Sequence, residues 1–242
     1  MVREVSGPLN AMVETNPSSS LHPAIEDVRP DRAFARRFRR RTGLDLVTVI
    51  ERILAEADLR PGDRVLDIAS SDATLALQMV ARVHPGQVTC LCPIGEILGE
   101  AYEQARAAGL EESIDWRIAA IEELPFPDQT FDVLTCSSSF RLLDGRAFIA
   151  EAHRVLSSGG RLLIAESTIP HTRLNEWRLA WRAFYHQYVR KDQAEAAAEF
   201  YSVDELAEML VDAGFQPVVI RGLQRPWTVH SWIFSLIKAI KP

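Results

Sequence analysis

The alternation of short apolar runs with helical patterns is the feature that most constrains what this chain can fold into. Runs rich in β-branched side chains indicate five strands, at residues 64–68, 87–91, 114–118, 131–136 and 161–165. Helical patterns lie between them at residues 74–83, 95–108 and 145–156. Because parallel strands need a crossover connection, usually a helix, this alternation predicts a parallel sheet covered by helices on both faces.

The flanking segments add helices and a hairpin. Two helices within residues 31–58 are predicted to form a lid, and residues 167–200 form an aromatic-rich helical insert. Two last strands, at 217–222 and 232–240, are too close for a crossover, so one of them runs antiparallel. We therefore predict an α/β, Rossmann-like, seven-stranded, mostly parallel sheet with one antiparallel strand. Residues 31–242 form this single domain, and residues 1–30 form a flexible tail.

Composition narrows the class of protein. No apolar run approaches the ~20 residues of a membrane span, and the first residues lack the layout of a signal peptide. Three cysteines do not make a disulfide framework, so we expect a cytoplasmic protein. The net charge of −6 opposes nucleic-acid binding.

The first predicted strand carries Asp67 at its carboxyl end, next to its last residue, and enters a turn without glycine. A strand that ends in an acid and turns tightly into a helix is typical of nucleotide binding. Glycines in that turn let the backbone adopt conformations that a Cβ disfavours and approach the ligand directly. Here Ala69, Ser71 and Ala73 stand in their place.

Four further motifs point to a known family. They are LRPGDRVLD at residues 59–67, LPFPDQTFD at 124–132, HRVLSSGGRLLIAE at 153–166 and DAGF at 212–215. With them the chain resembles the class I S-adenosylmethionine-dependent methyltransferases, in particular the ubiquinone/menaquinone C-methyltransferases (methyltransferase type 11). The resemblance covers roughly residues 31–240 and implies S-adenosylmethionine as cofactor and a small-molecule substrate.

The resemblance also implies three places that hold the cofactor, and the chain departs from the family at all of them. The glycine turn is lost, Cys92 stands at the acid that binds the ribose hydroxyls, and Ala120 stands at the acid that binds adenine. The pocket positions that the resemblance implies are Asp67, Ala69, Ser71, Ala73, Cys92, Pro93, Ala120, Ile121, Glu122 and Ser137. Glu122 either replaces the adenine acid or is a solvated acid at a helix start.

The size of these losses argues against cofactor binding. Hydrogen bonds to a charged group contribute ~1.5–3 kcal/mol each. Losing both acids and crowding the turn is expected to cost ~4–6 kcal/mol, or about 10³–10⁴ in affinity. We therefore predict a degenerate pocket in which S-adenosylmethionine binding is disfavoured.

Candidate acid–base residues lie at the carboxyl end of the fifth strand and in the insert. Glu166 and His171, with Tyr185 and His186, could form an acid–base pocket. The alternative, which we favour, is that Glu166 caps a turn and the insert aromatics cover the sheet. The cysteines are expected to be buried thiols, and no metal site is predicted.

Residues 29–41 contain seven arginines and no lysine. This segment is either a solvated lid helix or a docking surface for an acidic protein partner or anionic headgroups.

Three functions follow from the sequence as hypotheses. The first is a non-catalytic scaffolding subunit that partners an active methyltransferase. The second is an active methyltransferase with an unusual cofactor pose acting on a small lipophilic molecule, and the third is a cofactor-free cyclase or isomerase.

Overall fold

The computed structural model describes residues 30–69, 72–170, 172–224 and 232–242, and its centre is a seven-stranded sheet. The strand order is β3-β2-β1-β4-β5-β7-β6. In chain order the strands are Arg64–Ile68 (β1), Gln87–Leu91 (β2), Ile114–Arg117 (β3), Phe131–Ser137 (β4), Leu156–Thr168 (β5), Val218–Gly222 (β6) and Ile233–Ile240 (β7). The first five strands run parallel, and β7 is antiparallel to both of its neighbours. The predicted mixed sheet is confirmed.

Helices cover both faces of the sheet. They are Arg32–Thr42 (α1), Leu46–Ala57 (α2), Thr74–Val83 (α3), Gly95–Ala107 (α4), Gly145–Val155 (α5), Arg173–Phe184 (α6), Gln193–Ala196 (α7) and Val203–Asp212 (α8). The first four belong to the apolar core of one face, and α5 and α8 belong to the core of the other. A π-helical turn, Tyr185–Arg190, continues α6.

The two N-terminal helices join the core of their face. Helix α2 buries six apolar side chains along one stripe, as its periodicity predicts. In α1, Phe38 is buried and meets the Phe234 ring of β7 edge-on at 5.4 Å. These helices therefore stabilise the sheet as well as covering its edge.

The insert aromatics are exposed, so the interpretation of them as a cover on the sheet is wrong. Trp177 and Trp181 are 65% and 59% accessible to solvent, and Tyr188 is 62% accessible. The spacing of these side chains predicts one helical face, but a periodicity does not say whether that face meets the protein or the solvent. Polar contacts hold α6 instead: Asn175 is buried and donates a hydrogen bond to the Pro170 carbonyl at 2.8 Å.

Some predictions fall outside the described residues. Residues 1–29 of the predicted tail, Ser71 and His171 are among them. Within the described part of the chain, no helix is long and apolar enough to span a bilayer. All three cysteines are free and buried, which confirms their assignment as structural thiols.

Candidate functional site

The carboxyl ends of β1 and β4 form the edge where a ligand is expected in this fold. The chain leaves β1 towards one face and β4 towards the other, which opens a crevice between neighbouring strands. The cavity there measures only about 30 Å³. Its walls are Phe34, Leu46, Ile50, Asp72, Leu75, Ser137 and Ser138. Ligand pockets usually measure about 300–1,000 Å³, so this cavity is too small for a nucleotide-sized ligand. Among the described pocket positions that the sequence predicts, Ser137 alone lines it.

The turn after β1 retains a backbone conformation that suits glycine. Ala69 has φ +55°, in the left-handed region, and its N–H donates to the Leu91 carbonyl of β2 at 2.8 Å. Just before it, Asp67 is fully buried and accepts a hydrogen bond from the Thr135 hydroxyl at 2.5 Å. The Ala69 backbone therefore has a conformation that favours glycine, although this residue carries a Cβ.

Backbone amides at the start of α3 already have acceptors within the protein. The Ala73 N–H donates to the Gln104 side-chain oxygen of α4 at 2.8 Å. The Thr74 N–H donates to one oxygen of Asp72 at 2.9 Å, and the Asp31 N–H, at the start of α1, donates to the other at 2.9 Å. A helix N-terminus attracts anions. Here the Asp72 carboxylate takes that position and also fastens α1 over the crevice.

At the ribose position, Cys92 is buried at the end of β2. Cys92 is only 1% exposed, and its backbone N–H donates to the Arg117 carbonyl of β3 at 3.1 Å. Burial raises the pKa of the Cys92 thiol above its ordinary value. The thiol is therefore neutral near pH 7 and is a weak acceptor compared with a carboxylate. The next residue, Pro93, is exposed.

The adenine position offers apolar surface and one local acid. Ala120 is exposed, and the exposed side chain of Ile118 lies nearby at the end of β3. Glu122 is exposed, and its carboxylate accepts a hydrogen bond from the buried Ile121 N–H at 3.2 Å. The exposure of Glu122 fits the solvated interpretation, but the residue lies in a loop and not at a helix start.

Glu166 is locked in a buried ion pair. Its carboxylate lies 3.2 Å from the guanidinium of Arg141, and the two side chains are 3% and 4% exposed. It also accepts the Ser167 N–H at 2.8 Å. Arg141, just after β4, contacts Glu195 of α7 at 2.6 Å, and Glu195 also pairs with Arg182 of α6.

The two carboxylates keep the Arg141 guanidinium protonated. Burial alone would lower the pKa of Arg141, but Glu166 and Glu195 outweigh burial and raise it, so the guanidinium stays charged. Glu166 is therefore the partner of a permanent cation. This differs from both an open acid and a simple turn cap.

The other acid–base candidates do not join Glu166. Tyr185 is 41% exposed, and its ring packs edge-on against His186 at 5.9 Å. In the part of the chain that the structure describes, neither residue shares a hydrogen bond with Glu166. The structure therefore does not assemble the predicted acid–base pocket from these three residues.

The sequence interpretation missed Arg141, Asp72 and Gln104. A signal existed for Arg141, since an arginine just after one strand and a glutamate ending a neighbouring strand come to the same sheet edge. Gln104 had no such signal, because it lies about thirty residues from Ala73 on the surface of another helix. Among the described residues, no group of three or more His, Cys, Asp or Glu side chains could hold a metal ion.

Comparisons with known proteins agree with this architecture. The profile of a family described as "Methyltransferase domain" matches residues 66–164. The ubiquinone/menaquinone biosynthesis C-methyltransferase UbiE of Cereibacter sphaeroides is 31% identical over 178 residues, covering 68% of this chain and 70% of the relative.

Solved structures share the fold at low identity. Geranyl diphosphate C-methyltransferase from Streptomyces coelicolor A3(2) superposes with a TM-score of 0.64 at 14% identity, covering 81% of this chain and 79% of that one. The [4+2]-cyclase SpnF gives 0.62 at 18% identity and covers 81% of each chain. Together, the mixed seven-stranded sheet and these neighbours define a Rossmann-like methyltransferase fold. The identity with the C-methyltransferase relative shows the family as well as the fold. This chain belongs to the class I S-adenosylmethionine-dependent methyltransferase family.

Proposed function

We propose that this chain is a methyltransferase-fold protein that does not transfer methyl groups from S-adenosylmethionine and acts as a binding or scaffolding subunit. The observation that carries this proposal lies at the start of α3. The Ala73 and Thr74 N–H groups are bonded to Gln104 and Asp72, and the cavity beside them measures about 30 Å³. An incoming carboxylate would meet the negative charge of Asp72 where the family offers free N–H groups.

The losses at the ribose and adenine positions support the same proposal. A neutral, buried Cys92 and an alanine at position 120 remove the carboxylate acceptors that the family uses. Helix α1 exposes several arginines, which suit an acidic protein partner such as an active methyltransferase.

The runner-up is an active methyltransferase on a small lipophilic molecule, and the named activity of the C-methyltransferase relatives favours it. Such an enzyme would have to break the Asp31–Asp72 contact and lift α1 to admit the cofactor. The cyclase neighbour makes cofactor-free chemistry a third candidate. It is less favoured, because Glu166 is buried and its carboxylate is paired with Arg141.

Calorimetry with S-adenosylhomocysteine tests the proposal. We expect the natural chain to bind with a dissociation constant of about millimolar or weaker. The variant Cys92→Asp with Ala120→Asp restores the two acids and is expected to bind more tightly, by up to about a thousandfold. The matched control, Cys92→Asn with Ala120→Asn, has similar size without charge and should remain weak. Micromolar binding by the natural chain would refute the non-catalytic assignment.

The partner is tested separately by co-elution from native extract on a sizing column. A heteromeric complex should form with the natural chain and with Arg52→Glu, an exposed control on α2. It should be lost with Arg36→Glu and Arg40→Glu on α1. If all three proteins elute alone, the scaffolding role fails even where cofactor binding is absent.

A further inference from the structure

The exposed aromatic face of the insert carries no assigned role in the candidate site. Four rings follow one another along α6 and the π-helical turn: Trp177, Trp181, Phe184 and Tyr188. Successive ring centroids are 6.5, 5.7 and 4.9 Å apart, and the first two pairs are stacked. We call these four residues the aromatic ladder. Its 4-3-4 spacing keeps all four on one side of the helix.

The ladder is large for a solvent-facing surface. Each of the four side chains is about half exposed or more. With aromatic side chains of about 150–250 Å² each, the apolar area is roughly 400 Å², the size that marks an interaction surface. Leu174, also exposed, precedes Trp177 by one helical turn and extends the same stripe.

Cations border this stripe. Between residues 173 and 191 the sequence has five lysines and arginines against one acid, Glu176. At 3.6 residues per turn, Arg173 and Arg178 lie on opposite flanks of the ladder, and Glu176 lies on the Arg173 side, slightly farther from the ladder than Arg178. Arg173, Arg178 and Lys191 are all exposed. Arg182 is paired with Glu195, and the exposed acid Asp192 follows Lys191 directly. The remaining cations of this stretch, Arg173, Arg178, Arg190 and Lys191, outnumber Glu176 and Asp192 by four to two, so its charge is positive on a chain whose net charge is −6.

We propose that the aromatic ladder docks on an anionic lipid surface, with the rings at the headgroup–acyl boundary and the flanking cations on the headgroups. Trp and Tyr concentrate at that boundary, and a helix with aromatic residues on one face and basic residues beside it lies in its plane. Basic residues near an anionic leaflet add about fivefold each to binding. A second copy of the chain fits less well, because it would bring like charges together. The ladder also offers only about half of the roughly 800 Å² that each partner of a stable dimer buries.

Vesicle binding tests this proposal with the full chain. Flotation with vesicles of phosphatidylcholine and phosphatidylglycerol in equal parts should recover the protein, and pure phosphatidylcholine should recover much less. Trp177→Ser with Trp181→Ser should lower the vesicle affinity at least about tenfold. Arg173→Gln with Arg178→Gln should lower it roughly thirtyfold. The matched control, Arg52→Gln with Arg106→Gln, removes two exposed arginines elsewhere and should retain the binding of the natural chain.

Tryptophan emission shows whether the ladder itself enters the lipid. The difference spectrum between the natural chain and Trp177→Phe with Trp181→Phe should shift to the blue when anionic vesicles are added, while both proteins float. Flotation that is absent, or that is equal for the ladder variants and the control, overturns the proposal. So does a dimer in sedimentation that the serine variants dissociate, or a difference spectrum that is already blue without vesicles, since either result shows that protein covers the ladder.

Discussion

Arg141 shows how single residues close this sheet edge. Its guanidinium lies between Glu166 at the end of β5 and Glu195 in the insert. Two charges in a buried setting stabilise a fold only when each is well paired, because removing either leaves the other without compensation. The ion pair therefore makes the edge dependent on both residues together.

Replacing Arg141 alone is expected to be severe. Arg141→Met should lower the free energy of unfolding by about 3–5 kcal/mol, because Glu166 stays buried without its partner. Adding Glu166→Gln should recover part of this loss, since no unpaired charge then remains. Urea unfolding measures both. Arg106→Ala, which breaks the exposed Arg106–Glu103 pair, is the control and should change stability by less than about 1 kcal/mol. Equal losses of unfolding free energy in Arg141→Met and Arg106→Ala would show that the buried pair stabilises the fold no more than an exposed pair does.

Among the elements, the insert has an unusual attachment. Within the described residues, Asn175 is the only buried residue of α6, and α7 has none. Glu195 fastens the insert to the sheet edge through Arg141, and within the insert it joins α7 to α6 by pairing with Arg182. An element held by charge, with little buried apolar surface, should respond to pH more than the cores do.

The acid response follows from Glu195. Burial opposes its ionisation, but the hydrogen bond from Arg141 and the charges of Arg141 and Arg182 outweigh burial and lower its pKa below the ordinary 4.5. The stabilisation from Glu195 is therefore complete above that value and is lost as the pH falls through the lower, folded pKa. Urea unfolding of the natural chain and Glu195→Gln should show a stability difference at pH 7 that shrinks below about pH 4.5. A difference that is constant with pH would assign the effect of Glu195 to packing.

At the scale of the whole molecule, two apolar cores enclose the sheet. Each core contains at least one of the three cysteines, so thiol reactivity measures how each core opens. Cys90 and Cys92 belong to the core beneath α1 to α4, and Cys136 belongs to the other. Burial raises the pKa of Cys136 to about 12, and burial also raises the pKa of Cys90 and Cys92. Thiolates are the reactive form, so both access and charge protect these side chains.

Alkylation measures how the molecule opens. Iodoacetamide at pH 8 should modify all three cysteines rapidly in urea and only slowly in the native protein. In the native protein, the slow modification of Cys92 should proceed at the rate of Cys90 and Cys136, because only global unfolding exposes it. Faster modification of Cys92 would reveal a local opening of the cofactor crevice and would support the active methyltransferase. Variants that retain one cysteine each assign the sites.

The sequence predicted what local patterns determine. The bounds of β1, β2 and α3 match, because short branched or amphipathic runs there end at proline, glycine or polar residues. Strand β5 ends later than expected, since eight of its residues, Arg161 to Thr168, pair with β7, a partner about seventy residues away. It also begins earlier, at Leu156, which pairs with Phe131 of β4. The losses at Cys92 and Ala120 were visible in the sequence. The amide contacts of Gln104 and the exposure of the aromatic ladder depend on tertiary packing, which no local pattern encodes.

The position of β7 has a consequence for how the chain is made. Of the seven strands it is synthesised last, yet it lies between β5 and β6 rather than at an edge. Until it emerges from the ribosome, β5 has a long row of unpaired N–H and C=O groups, and β6 has no neighbour in the sheet at all. The unpaired edge of β5 in the nascent protein must therefore be kept from pairing with strands of other chains. The sheet is completed in a late folding step that joins segments distant in sequence.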